Sequence, residues 1–439
     1  MRFILNNTKL FLKFFFIILL LSVFSCSDKE TKPFMGKKID IHISSNSKAS
    51  SSFKIKIDQI IEKKYWVQKG GDDTHTIPNV NLNFPLKKIF SKNTDQEISD
   101  KYFSLANPVV DEKNIYILST YGNVTSIDKN NFSINWNRKI FNKKFDFPNP
   151  GSIVVQLNGD DLYLHNGGDL MFALNKKNGK VKWKFKNEFP FRGNITIKND
   201  YLLVNDYNNN LLSFFEKKLI WKKKLGQSEN VIFTNIRPII YENKIINPSF
   251  NGLFHILNIN DGKLMFSDYL QPNRKRAKIF RNNDIIANPI ISDNKMYIIS
   301  HSGTLASYDL KKLKILWSVQ IGGSNTPIIS GNSIFLIDNN NVLYAIKANN
   351  GKIKWMKQFD LNTKDGFYFK NIKKVSFKGP YLMDNKLMLF SSNGYINLLN
   401  PLNGELLETR EFDLLGTEPI FFEDKMIIVT SDGDLKVYK

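Results

Sequence analysis

Along most of the chain, short apolar runs alternate residue by residue and are separated by polar turns. In 305–310, Leu305, Ser307 and Asp309 alternate with Ala306, Tyr308 and Leu310. A period of two is the sheet period; a helix would need 3.6. The stretch 303–317, GTLASYDLKKLKILW, has counterparts at 341–355, NVLYAIKANNGKIKW, and at 168–183, GDLMFALNKKNGKVKW. Each unit predicts a short strand that often follows a proline, a turn, an apolar strand, a turn at Gly or Asn, an alternating strand, a further turn and a last strand bearing an aromatic residue.

The residue before the third strand is Gly122, Gly168, Asn210, Gly252, Gly303, Asn341, Gly394 and Gly433, with steps between 38 and 53 residues. Glycine or asparagine there suits a turn of positive φ. The last strand supplies a second ladder, Trp136, Trp183, Trp221, Phe266, Trp317 and Trp355, with Glu408 standing at the seventh position. Tryptophans repeated in this way are read as packing against the next unit, since a ligand site uses a few aromatics and not one per repeat. Units of this length with four strands are propeller blades. The fold class is therefore all-β, an eight-bladed β-propeller closed by an N-terminal strand. The eighth unit ends at Lys439 without an aromatic strand, and Lys63, Lys64, Tyr65, Trp66 and Val67 are expected to supply it. Such closure leaves no open edge.

Residues 1–26 break the pattern. Arg2, Lys9 and Lys13 precede or flank the apolar run FFFIILLLSVF, which is short for a membrane-spanning helix, and V-F-S-C ends at Cys26, the one cysteine of the chain. The reading is a lipoprotein signal over 1–25, a lipidated tether over 26–60 beginning at Cys26, and the propeller over 61–439. By resemblance to the lipoprotein sorting rule of enteric bacteria, Ser27 in place of aspartate implies transfer to the outer membrane. The polar stretch 27–52 reads as a tether. A formal net charge of +21 suggests an anionic partner, but the lysines are scattered through many turns, so a solvated surface is favoured and no nucleic acid partner is expected. The basic loop 271–284 and the aromatic insertion 360–378 are the two large excursions; the second reads equally as a binding surface or as a cap on a blade edge.

Catalytic chemistry is missing from the sequence. His42, His75, His165, His255 and His301 have no zinc spacing, and there is no nucleophile elbow or phosphate loop. His301 reads as a surface residue. No cofactor, no metal and no enzymatic activity are expected.

The unit quoted as ALNKKNGKVKW, SYDLKKLKILW and AIKANNGKIKW resembles the pyrroloquinoline-quinone-type propeller repeat. Enzymes of that repeat oxidise alcohols or sugars with a quinone and calcium, but the chain lacks their vicinal cysteines and long inserts. A lipidated eight-bladed version without a cofactor site is similar to the BamB family of outer-membrane assembly lipoproteins. That resemblance covers nearly all of 60–439. It implies a scaffold facing the periplasm, monomeric on its own, docked on the barrel-inserting protein and its assembly complex. The family's dock uses loops between its third and fourth blades; the matching positions here are Phe189, Phe191 and Arg192, with Glu229 and Asn235 in the second loop. A periplasmic quinoprotein dehydrogenase and another envelope-binding lipoprotein, for peptidoglycan or polysaccharide, are the alternatives.

Overall fold

The alternating runs pair as eight four-stranded antiparallel sheets in the computed structural model. It describes residues 53–439 apart from 69, 72–74, 95–105, 142–152, 227–235, 250–251, 271–282, 302 and 360–374. Seven sheets are built from four consecutive strands, and the eighth joins Ile420–Phe422, Lys425–Val429 and Asp434–Tyr438 to Lys88–Asn93 from near the start of the chain. Strands are lettered a to d from the axis outward. The a–b and c–d turns lie on one face of the ring, and the b–c turns and interblade connections on the other. Inner strands such as Ile420–Phe422 are wholly buried, whereas outer strands such as Val181–Lys186 alternate exposed and half-buried positions.

Closure is by an N-terminal strand, but not by 63–67. Lys88–Asn93 pairs antiparallel with Asp434–Tyr438 instead, and Phe90 stands opposite Val437. That is the place Trp136 holds opposite Ser126 and Trp317 opposite Ser307. Phe90 is thus the missing rung, stacked 4.4 Å from Phe132 of blade one. Trp66 could not take that place, because it is almost wholly buried and an outer strand buries only one face in part.

Four of the ladder tryptophans lock their blade to the next. Trp136 Nε1 donates to the Lys176 carbonyl at 3.0 Å, Trp221 to Ile259 at 2.9 Å, Trp317 to Ala348 at 3.0 Å and Trp355 to Pro401 at 3.0 Å. Each acceptor lies in the c–d turn of the following blade. The glycine of that turn is required twice over at Gly179, whose φ is +70° and where an added methyl would sit 2.7 Å from the Trp136 ring. The turns before the third strand are less uniform than their spacing suggests. In blades two and three the positive φ falls one residue early, on Gly167 and Asn209.

The segment 53–82 is a second layer across the a–b face. Lys56 binds Asn332 of blade six, and the Lys63 carbonyl accepts from Glu423 N of blade eight. Trp66 and Val110 of blade one exchange backbone hydrogen bonds of 2.8 Å each, and Leu157 N of blade two donates to the Val67 carbonyl at 2.9 Å. His75 Nδ1 then donates to the Pro289 carbonyl of blade five at 2.8 Å. Blades one and five are opposite in a ring of eight, so Trp66 and His75 pair with blades on opposite sides of the axis. Val80 returns beside Met383 of blade seven. An axial plug therefore fills what would be an open channel.

Candidate docking site

The connection from blade two to blade three is only four residues long, Asn187 to Pro190, and it is held by backbone bonds. Asn187 N donates to the Asp169 carbonyl at 2.8 Å, and Phe191 N donates to that of Gly168 at 2.9 Å. Asp206, fully buried in the neighbouring b–c turn, is the hub. It accepts from Asn187 Nδ2 at 3.0 Å, from Asn210 N at 2.9 Å and from Asn210 Nδ2 at 2.8 Å. A buried carboxylate is tolerable only with such a full set of donors.

The three first-loop candidates separate by burial. Phe189 is half-exposed, with its carbonyl held by Asn187 Nδ2 at 2.8 Å and Lys222 Nζ 5.4 Å from its ring centre. Phe191 has no exposed surface; it packs on His165 and Phe185 inside the blade-three core. It supports the loop from below and cannot touch a partner, which corrects its reading as a contact residue. Arg192 is half-buried in register with Asn205. Burial lowers its guanidinium from the ordinary value, while Tyr207, Asp206 and Asp284 act the other way. Its charge thus faces carboxylates of blades three and five at the mouth of the axis. Glu229 and Asn235 lie outside the described residues, as do Cys26 and most of the basic loop.

His165 lies beneath the same loop. Its Nε2 donates to the Gly193 carbonyl at 3.1 Å and its Nδ1 accepts from Gly167 N at 3.1 Å. Burial brings its pKa down to about 4, so it is neutral. His301 is not simply a surface residue: its Nδ1 lies 2.9 Å from Ser324 Oγ and ties blade five to the connection beyond it. At the end of the aromatic insertion, Phe377 opens the strand Phe377–Met383 and lies tilted against Phe359 at 4.8 Å, while 360–374 lie outside the described residues.

The plug is the feature that sequence reasoning missed, although a signal was present. Asn79, Asn81 and Asn83 alternate with Val80, Leu82 and Phe84, a strand-like pattern ahead of the first blade. Its consequence is chemical. The axial cavity bounded by Gly70, His75, Asn288, Thr326, Tyr381 and Glu418 is about 30 Å³. Small-molecule sites occupy roughly 300 Å³ or more, so a tricyclic quinone does not fit there. Among the described residues, no group of three or more His, Cys, Asp or Glu side chains is placed to hold a metal ion. A larger cleft of about 750 Å³ lies beside the plug, against Leu157 and Ile197 of blades two and three.

Comparison with known proteins gives a consistent picture. A family model described as outer membrane protein assembly factor BamB matches residues 142–357. The BamB of Moranella endobia is 22% identical over 370 residues, covering 82% of this chain and 92% of that protein. Among solved structures, BamB from Moraxella catarrhalis superimposes with a TM-score of 0.64 at 14% identity, over 81% of this chain and 99% of that one. A europium-containing methanol dehydrogenase superimposes with a TM-score of 0.65 at 11% identity, over 85% of this chain and 98% of that one. At such identities the superpositions establish the propeller fold and nothing about chemistry.

Proposed function

Because the chain is a BamB-like β-propeller of the pyrroloquinoline-quinone repeat type, we propose that it is a non-enzymatic scaffold lipoprotein of the outer-membrane β-barrel assembly machinery. In this reading it is anchored through Cys26, faces the periplasm and docks on the barrel-inserting protein. The observation that carries the reading is the alignment with a named assembly factor over 82% of this chain and 92% of that protein. The filled axis supports it, since a plugged ring presents its rim and loops and offers no central site for a quinone.

In this reading the dock is Phe189 with Arg192, the half-exposed ring of the loop and the half-buried cation at the start of the strand that follows, braced by Phe191 from within. An arginine beside an aromatic ring is a common interface anchor. The test is affinity purification from detergent-solubilised envelope. Recovery of a barrel protein carrying repeated periplasmic domains is expected, and its absence overturns the reading. Phe189→Ala and Arg192→Gln should each weaken that complex while thermal unfolding of the propeller stays close to the parent. Charge reversal at Arg192 is the poorer probe, because it would set a third carboxylate beside Asp206 and Asp284.

A further inference from the structure

We propose that the outer edge of blades two and three is a docking surface for an anionic phospholipid bilayer. The outer strand of blade two, Val181–Lys186, reads VKWKFK and bears Lys182, Lys184 and Lys186. That of blade three, Lys218–Lys224, reads KLIWKKK and bears Lys218, Lys222, Lys223 and Lys224. Neither strand holds an acidic residue. The patch ends at blade four, whose outer strand Leu264–Tyr269 has Asp268 and no lysine. Diametrically across the ring from blade three, Leu406–Glu411 carries Glu408 and Glu411 with one arginine. The outer strands of blades two and three thus carry more positive charge than any other outer strand of the rim.

The nearby carboxylates offset only part of this charge. Asp161 takes Lys182 and Lys217, Asp169 lies 3.7 Å from Lys186, and Glu188 lies 3.3 Å from Lys222. Among the described residues, Lys184, Lys218, Lys223 and Lys224 form no ion pair. Lys184 instead lies 5.7 Å from the Phe172 ring centre. Between the lysines stand the exposed aliphatic side chains of Val181, Leu219 and Ile220. Lysines beside exposed aliphatics suit the headgroup boundary, where the ammonium meets phosphate and the apolar stem sinks inward.

Two features favour a bilayer over an acidic protein. Both strands use lysine and never arginine. A hydrated point charge suits fluid headgroups of no fixed geometry, whereas fixed carboxylates favour the arginine fork. The convex rim of a disc also meets a plane along a few neighbouring blades, and the acid-free basic run continues from blade three through blade two to Ile134–Lys139 of blade one, with Arg138 and Lys139.

The test uses the chain from residue 26 onward with Cys26→Ser, so that neither acyl chains nor the apolar run 14–24 contribute, sedimented with phosphatidylcholine vesicles with or without phosphatidylglycerol. Binding should require phosphatidylglycerol and fall as salt rises. The variant K184E/K186E/K223E/K224E should lower the partition coefficient by about tenfold or more. The variant K311E/K312E/K352E/K357E, with the same charge change on blades five and six, should bind like the parent. If the reversal variant does not fold, the same four positions as glutamine replace it. Equal loss in both quadruple variants, or no dependence on phosphatidylglycerol, would overturn the proposal. Retention on polyglutamate without vesicle binding would also overturn it and assign the edge to an acidic protein. Either failure leaves the partner purification above unaffected.

Discussion

Trp66 and Val110 face each other as an isolated antiparallel bridge, with both backbone hydrogen bonds at 2.8 Å. The indole beneath them is edge-on to Phe421 of blade eight at 5.8 Å. One residue of the plug thereby joins the first blade to the last at the ring's seam. Trp66→Ala should cost about 3–5 kcal/mol, the usual range for deleting a buried large aromatic side chain. Urea unfolding followed by tryptophan fluorescence and by circular dichroism checks this; a loss under about 1 kcal/mol would mean that the plug is ornamental.

The corrected seam makes a paired prediction. Phe90→Ala removes the rung that stacks on Phe132 and should destabilise by about 2–4 kcal/mol. Tyr65→Ala, at a position 51% exposed, should stay within roughly 0.5 kcal/mol. The reverse ranking would restore 63–67 as the closing strand.

Gly179 tests the blade lock. Gly179→Ala sets a methyl against the Trp136 ring at positive φ, and a loss of roughly 2–4 kcal/mol is expected from strain and overpacking together. Gly159 also has positive φ, +57°, but an added methyl would meet nothing within 4 Å. Gly159→Ala should therefore cost only about 1 kcal/mol. The difference between the two unfolding free energies isolates the tryptophan contact, and equal losses would refute it.

His165 predicts an acid sensitivity. Its folded-state pKa of about 4 lies below the ordinary 6.5. Below the ordinary value the unfolded chain binds a proton that the folded chain refuses, so stability falls as pH drops through that window. The slope should be about 1.4 kcal/mol per pH unit between roughly pH 6 and 4, and should flatten above pH 7. His165→Asn should remove that part of the slope, whatever it does to stability at neutral pH. Carboxylates held low by lysines, such as Glu423 with Lys129 and Lys425 despite the opposing effect of burial, add a further loss at lower pH in both proteins.

The sequence by itself determined the blades. Period-two alternation and the ladder from Trp136 to Trp355 are local and repeated, and each depends on neighbours a few residues away or one blade on. The need for an N-terminal closing strand was equally plain, because the last unit lacks its outer strand. Which segment closes was decided by tertiary structure. Tyr65–Trp66 and Ile89–Phe90 both offer an aromatic beside a lysine-rich run, and only the packing around Phe132 and Val437 separates them. The burial of Phe191 was likewise beyond the sequence, since an inward and an outward phenylalanine read alike until the surrounding blades are in place. Long-range burial chooses among segments of similar local pattern, and that choice exists only once the ring has formed.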